Sequence, residues 1–96
     1  MKQIVVSNTS LATDKIDVAA GKHLIKVYSG NWTGVTLTPK AEINGTDVNL
    51  KDVFNGTISF TANGYAIFEF EGRISFGGAV GAGKQVTVEI STLEGG

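Results

Sequence analysis

Residues 77–84 read GGAVGAGK, and their spacing is close to that of a phosphate-binding loop. Gly78, Gly83 and Lys84 occupy the glycine and lysine positions of the pattern G-x-x-x-x-G-K-S/T, in which backbone amides and the lysine hold the phosphates of a nucleotide. The last position departs from the pattern, because Gln85 stands where a hydroxyl group would bind magnesium. The spacing therefore raises the hypothesis of a nucleotide-binding protein.

A phosphate-binding loop also needs a helix behind it, because the amides and the dipole of the helix N-terminus face the phosphates. The residues that follow Lys84 read QVTVEI, in which β-branched apolar residues alternate with polar ones. That pattern predicts a strand over 85–90. We therefore predict that 77–84 is a flexible connection between two antiparallel strands, and nucleotide binding stays only as a remote alternative.

Groups for acid–base or nucleophilic catalysis are few. His23 is the only histidine, at the start of a predicted strand, and we expect it at a surface or edge position. Glu69 and Glu71 lie two residues apart on one strand and share a face, as a glycosidase pair could. A solvated acidic face is the simpler interpretation. The sequence therefore indicates no catalytic residue, no cofactor and no metal ligand, and the expected class is not an enzyme.

Aromatic and apolar residues at predicted surface positions are better candidates for binding. Trp32, in SGNWTG, follows Tyr28 closely, and exposed rings can stack on sugar faces, although a single tryptophan more often fills a core or an interface. Tyr65 and Ile67 share the outward face of a strand, and with Phe54 they form a candidate contact between protomers. We therefore predict a protein-contact or glycan-contact role for these five residues.

The composition of the chain narrows the classes of partner. Its 96 residues fit one domain, and 8 basic against 9 acidic residues give a net charge of −1. The cations are scattered, so we expect neither nucleic acid nor an anionic membrane as a partner. The sequence has no cysteine, and Met1–Val6 resembles neither a signal peptide nor a membrane span. We therefore expect synthesis in the cytoplasm.

Apolar and polar residues alternate with a period of two along almost the whole chain. In 35–43, Val35, Leu37, Ala41 and Ile43 are expected to face the core. Pro39 lacks an amide hydrogen, which predicts that this strand is either an edge strand or bulged. The predicted fold is all-β, an antiparallel β-sandwich (jelly-roll or Ig-like) of about 7–9 short strands.

Three Asn-Gly pairs punctuate the predicted strands, at Asn44-Gly45, Asn55-Gly56 and Asn63-Gly64. This dipeptide is the strongest short signal for a two-residue hairpin, because type I′ turns need positive φ at both central residues. We divide the chain into an N-terminal arm or first strand at 1–13, a β-sandwich domain at 14–91 and a flexible tail at 92–96.

Three runs carry a resemblance to a known group: AGKHLIKVYSGNWTGVTLTPKAEINGTDVNL, GTISFTANGYAIFEFEGRISFGG and KQVTVEIS. Over residues 11–91 the pattern of strands and turns resembles the small β-sandwich virion proteins of tailed bacteriophages. Those proteins are often capsid decoration (cement) proteins or head-fibre domains.

That resemblance implies a structural role on the outside of a capsid. It implies the major capsid protein as partner, a homo-oligomer with a trimer favoured, and a location on the virion after synthesis in the host cytoplasm. The N-terminal arm could then add a strand to a capsid subunit or to a sister protomer. The alternative is a carbohydrate-binding or adhesive β-sandwich module on a head fibre or tail.

Overall fold

The computed structural model describes residues 2–7, 15–80 and 83–94. The described part of the chain is all-β, with eight strands in two antiparallel sheets of four and no helix. The strands are β1 (Lys2–Val6), β2 (Lys15–Val18), β3 (Lys22–Tyr28), β4 (Thr36–Ile43), β5 (Thr46–Asn49), β6 (Gly64–Glu69), β7 (Gly72–Ala79) and β8 (Val86–Glu94).

The strand order is β1-β8-β3-β6 in the first sheet and β2-β7-β4-β5 in the second. The pairs β1·β8, β2·β7, β3·β6 and β4·β5 are nested, since each joins a strand from the first half of the chain to its mirror position in the second half. Successive pairs fall alternately in one sheet and the other. This arrangement is compatible with a β-sandwich.

The core lies between the two sheets and is built by the predicted alternation. In β8, Val86, Val88 and Ile90 are buried, and in β6 Phe68 has no exposed surface. The strand predicted over 85–90 is therefore confirmed. The buried apolar residues are Val6, Val18, Ile25, Val27, Val35, Leu37, Ala41, Leu50, Ile58, Phe60, Phe68, Ile74, Phe76, Val80, Val86, Val88 and Ile90.

Two residues of β4 differ from the prediction. Ile43 is 53% exposed, because it ends the strand beside the turn that leads into β5. Pro39 is buried in an inner strand, with an unbroken register to β7, so the prediction of an edge or a bulge was wrong. The Leu50 carbonyl, which would face an amide at position 39, accepts a bond from Ile58 N at 3.0 Å instead, while Leu50 N donates to Pro39 O at 3.1 Å.

The first Asn-Gly pair forms the hairpin that the sequence predicts. Asn44 and Gly45 have φ values of 56° and 83°, and they join β4 to β5 with Ile43 opposite Thr46. Positive φ at both central residues defines the type I′ turn.

The other two pairs do not form two-residue hairpins. Asn55-Gly56 lies in a turn between β5 and β6, where Asn55 alone of the two has positive φ. Near Asn63-Gly64 the chain crosses between sheets, because Phe60 pairs with Leu37 of the second sheet whereas β6 belongs to the first. The two-residue hairpin signal was therefore wrong at both positions. At Asn55-Gly56 the chain does turn back on itself, with Lys51 paired to Thr57 and Ile58 N bonded to Leu50 O, but across the longer loop 52–56. At Asn63-Gly64 the apolar residues on either side belong to different sheets.

The structure also moves the predicted segment boundaries. Lys2–Val6 is a first strand paired with β8, and residues 1 and 8–13 of the predicted arm lie outside the described residues. β8 continues to Glu94, so the predicted tail at 92–96 begins too early; residues 95–96 are not described. β7 reaches Ala79, so the predicted connection at 77–84 is shorter than expected.

Candidate functional site

An exposed apolar surface lies where the chain between β5 and β6 meets the edge of the first sheet. Its members are Val53, Phe54, Tyr65 and Ile67, with exposed fractions of 43%, 90%, 73% and 36%. They line a cleft of about 260 Å³ together with Asp52 and Ala66. We call these four residues the Phe54 surface, and they include three of the five predicted contact residues.

Strand β6 supplies half of this surface. The alternation of a strand sends Phe68 into the core and Tyr65 and Ile67 to the outer face. β6 ends the order β1-β8-β3-β6, so it has a strand neighbour on one side only. The exposed side chains of Tyr65 and Ile67 leave the outer face of this strand available to another molecule.

The Asp52 carboxylate organises the turn that carries Phe54. Asp52 Oδ1 accepts hydrogen bonds from Phe54 N at 2.8 Å and from Gly56 N at 2.9 Å. An aspartate that bonds backbone amides two and four residues later closes a local turn without help from a sheet. The phenyl group is thus displayed on backbone that a side chain fixes.

Backbone hydrogen bonds complete the turn and attach it to the sheet. Asp52 N donates to Gly56 O at 2.8 Å, and Asn55 N donates to Asp52 O at 2.9 Å. Val53 N donates to Ile67 O at 3.0 Å, which joins the turn to β6. The two halves of the Phe54 surface are therefore held in one geometry before any partner arrives.

Replacing Asp52 with alanine tests this organisation. The variant loses two amide bonds to a carboxylate, and we expect the free energy of unfolding to fall by about 1–3 kcal/mol. Urea denaturation measures the change, and faster exchange of the amides at 54 and 56 would locate it. Asp47→Ala is the control, because Asp47 is exposed on β5 and no side-chain bond is seen for it within the described ranges. Equal losses in the two variants would contradict the role of Asp52.

Trp32 and Tyr28 are not part of this surface. Tyr28 is 43% exposed, and its hydroxyl donates to Glu89 Oε2 at 3.2 Å. Trp32 is half-buried against the core, and its Nε1 donates to Asn63 Oδ1 at 2.7 Å. Ser29 N donates to the same oxygen at 2.9 Å. Trp32 therefore fastens two loops together instead of presenting a free ring face.

The glycine-rich stretch lines a polar cavity at the loop end of the sandwich. The cavity measures about 340 Å³ and is lined by Ser7, Ser29, Gly30, Asn31, Gly83, Lys84 and Gln85. Gly78 lies in β7 with φ 101°, Gly83 has φ 84°, and β8 follows where a phosphate loop would need a helix. Positive φ values explain why glycine stands at positions 78 and 83, and no bound phosphate is needed to explain them.

His23 is buried, so the expectation of a surface or edge position was wrong. Its side chain is 1% exposed on the inner face of β3, which runs between β8 and β6. Nε2 lies 2.7 Å from the Ala19 carbonyl oxygen, Nδ1 lies 3.3 Å from Thr92 Oγ1, and the ring packs 5.2 Å from that of Phe68. The hydrogen bonds explain how a polar ring is accommodated in the core.

Two residues of the site, Asp52 and Val53, were not predicted from the sequence. A signal for Asp52 existed, because aspartate followed at a short distance by Asn-Gly is typical of a turn closed by the aspartate side chain. Val53 joins the surface only through its bond to Ile67, which lies far away in sequence, and no local pattern could reveal that contact.

The described residues offer neither a metal site nor a helix that could span a membrane. In the described ranges no group of three or more His, Cys, Asp or Glu side chains could hold a metal ion. Nor does any helix there have the length and apolarity to cross a membrane. Comparison with protein-family models, with curated proteins and with solved structures found no match to this chain.

Proposed function

We propose that this chain is a non-enzymatic structural protein of a bacteriophage virion, a capsid decoration (cement) protein that binds the outer capsid surface and stabilises the head. The Phe54 surface is the observation that carries the proposal. Aromatic anchors dominate protein interfaces, and a contact held in place before binding loses less conformational entropy on association. A phenyl group that is 90% exposed on a turn fixed by hydrogen bonds meets both conditions.

The proposed type of sandwich is a jelly roll. Nested pairs that alternate between two four-stranded sheets are what results when one long antiparallel ribbon wraps around a core, and jelly rolls have eight strands in two Greek keys. Domains of this type occur in viral capsids and in lectins. The strand order therefore supports the virion proposal and its main alternative equally.

The proposed partner is the major capsid protein, as the resemblance over residues 11–91 implies. The same resemblance supports a homo-oligomer, with a trimer favoured, located on the capsid surface after synthesis in the host cytoplasm. A net charge of −1 gives little electrostatic attraction to nucleic acid. Apolar contact at the Phe54 surface is the proposed source of affinity.

The proposed mechanism is mass action. A protein that binds the assembled shell but not its dissociated subunits stabilises the shell by the free energy of that binding. Each bound copy then raises the temperature at which the head ruptures, and no chemical step is needed.

Heads of the encoding phage prepared with and without this chain test the proposal. We expect the chain to bind mature heads in many copies per particle and to raise their rupture temperature, measured by release of packaged DNA during heating. Heads without the chain that rupture at an unchanged temperature would contradict the stabilising role.

The second candidate function is a carbohydrate-binding or adhesive module. The polar cavity lined by Ser29, Asn31 and Lys84 favours it, because hydroxyl, amide and ammonium groups can bind sugar hydroxyls. Binding of the chain to a glycan array that is lost in Lys84→Ala, which removes the ammonium group from the cavity, together with unchanged binding to heads, would favour this alternative.

A further inference from the structure

We propose that Asn44 is a site of spontaneous deamidation, and that the fold protects the two other Asn-Gly pairs of this chain from the same reaction. The proposal goes beyond the proposed function and does not depend on it. Asn-Gly pairs share one intrinsic chemistry, because glycine has no side chain to hinder approach to its own nitrogen. The surroundings of each pair in the fold then decide which asparagine reacts.

The reaction is a cyclisation followed by hydrolysis. The Gly45 nitrogen, after losing its proton, forms a bond to the Asn44 side-chain carbon, and the bond from that carbon to the amide nitrogen breaks. Ammonia leaves with the proton, and a five-membered cyclic imide remains. Water then adds to one imide carbonyl and opens the ring to aspartate or isoaspartate. The residue gains one carboxylate, and with it one negative charge, and water is the only co-reactant.

The hairpin at Asn44-Gly45 presents little resistance to this cyclisation. Both residues are exposed in a two-residue turn, and within the described ranges no hydrogen bond of the Asn44 side chain is seen. The strand that follows, β5, has four residues, each of them exposed, and it lies at the edge of its sheet. Short exposed edges open at low free energy, which allows the side chain and the backbone nitrogen to meet.

The pair Asn55-Gly56 is restrained by Asp52. The nucleophile would be Gly56 N, which donates a hydrogen bond to Asp52 Oδ1 at 2.9 Å, and Asn55 N donates to Asp52 O at 2.9 Å. A neighbouring carboxylate disfavours the negative charge that the amide must acquire before it attacks. The contacts that fix the Phe54 turn therefore also slow its cyclisation.

The pair Asn63-Gly64 is restrained at the other reacting group. Asn63 Oδ1 accepts bonds from Trp32 Nε1 at 2.7 Å and from Ser29 N at 2.9 Å, so the carbonyl that must be attacked is fixed. Gly64 begins β6 opposite Val27 of β3, which restricts its backbone as well. Cyclisation here requires that both side-chain bonds be broken.

Peptide mass spectrometry of the folded chain, after incubation at mildly alkaline pH, tests the proposal against the same chain in denaturant. In denaturant we expect the three asparagines to convert at similar rates. In the folded chain, loss of two hydrogen bonds at each protected pair should make conversion at Asn55 and Asn63 slower than at Asn44 by roughly tenfold or more. Conversion at either pair as fast as at Asn44 would overturn the proposal, as would an Asn44 that is protected as strongly as the others.

Two variants separate the proposed causes. Asn44→Gly keeps a turn that accepts positive φ and should abolish the deamidated product that forms first in the folded chain, which carries one more negative charge. An undiminished yield of that product would overturn the assignment. Asp52→Ala should accelerate conversion at Asn55 and leave Asn63 unchanged. An unchanged rate at Asn55 in that variant would overturn the protective role of the carboxylate.

Discussion

Replacing Gly78 with alanine is expected to lower the free energy of unfolding by roughly 3 kcal/mol or more, from backbone strain and steric overlap together. Gly78 has φ 101°, which side chains rarely accept, and a Cβ atom there would lie 2.3 Å from the Thr36 carbonyl oxygen. That oxygen belongs to β4, the inner strand paired with β7, so it cannot move without disturbing the sheet. Chemical denaturation of the purified variant measures the loss.

Two other glycines separate strain from overlap. Gly83 has φ 84° with open space around its Cβ position, so Gly83→Ala should lose only about 1–2 kcal/mol from the backbone conformation. Gly30 has open space and no positive φ, so Gly30→Ala should change stability by less than about 0.5 kcal/mol. A Gly78→Ala variant as stable as Gly30→Ala would contradict the described geometry of β7.

Local patterns predicted the strands well where packing follows the period of two. The alternation over 85–90 predicted β8, and that over 65–71 predicted which side of β6 is buried. Strand ends were less predictable, since a partner strand decides them: β7 continues through Gly77–Ala79 because Thr36–Thr38 of β4 pair with it. No property of GGAVGAGK itself indicates that pairing.

The predictions for His23 and Pro39 followed the usual preferences of these residue types, whereas the alternation of each strand indicates that both side chains are buried. His23 shares a face with Ile25 and Val27, so the period of two placed it inward. The prediction of a surface or edge position instead followed the usual preference of histidine for exposed sites. Pro39 is acceptable in an inner strand because Ile58 supplies the amide that proline lacks, and the sequence distance between them hides this substitution.

The candidate site was predictable only in parts. Alternation placed Tyr65 and Ile67 outward on one strand, which the structure shows. Their proximity to Phe54 depends on how the chain crosses from one sheet to the other between β5 and β6, which follows from the whole topology. Trp32, the residue that stood out most in the sequence, has its ring nitrogen bonded to Asn63 instead.

The second large effect is expected at Phe54. If the Phe54 surface binds the capsid, Phe54→Ala removes the side chain that protrudes most and should weaken binding by about 2 kcal/mol, or roughly thirtyfold in Kd. The stability of the isolated chain should hardly change, because the phenyl group is 90% exposed and contributes little to the core. A loss of binding without a loss of stability distinguishes a contact residue from a folding residue.

Val5→Ala provides a matched control. Val5 is apolar and 43% exposed, like Val53, but it lies on β1 at the opposite edge of the first sheet. Truncation there should leave capsid binding within a factor of about two, since truncating residues outside an interface changes affinity little. Equal effects of Val5→Ala and Phe54→Ala would show that the binding surface is not centred on Phe54.

The most direct test of the central claim is the affinity of the wild-type chain, Phe54→Ala and Val5→Ala for heads that lack the protein, measured by co-sedimentation over a range of chain concentrations. We expect saturable binding for the wild type and Val5→Ala, and binding about thirtyfold weaker for Phe54→Ala. Unchanged binding of Phe54→Ala, or no binding of the wild-type chain, would contradict it.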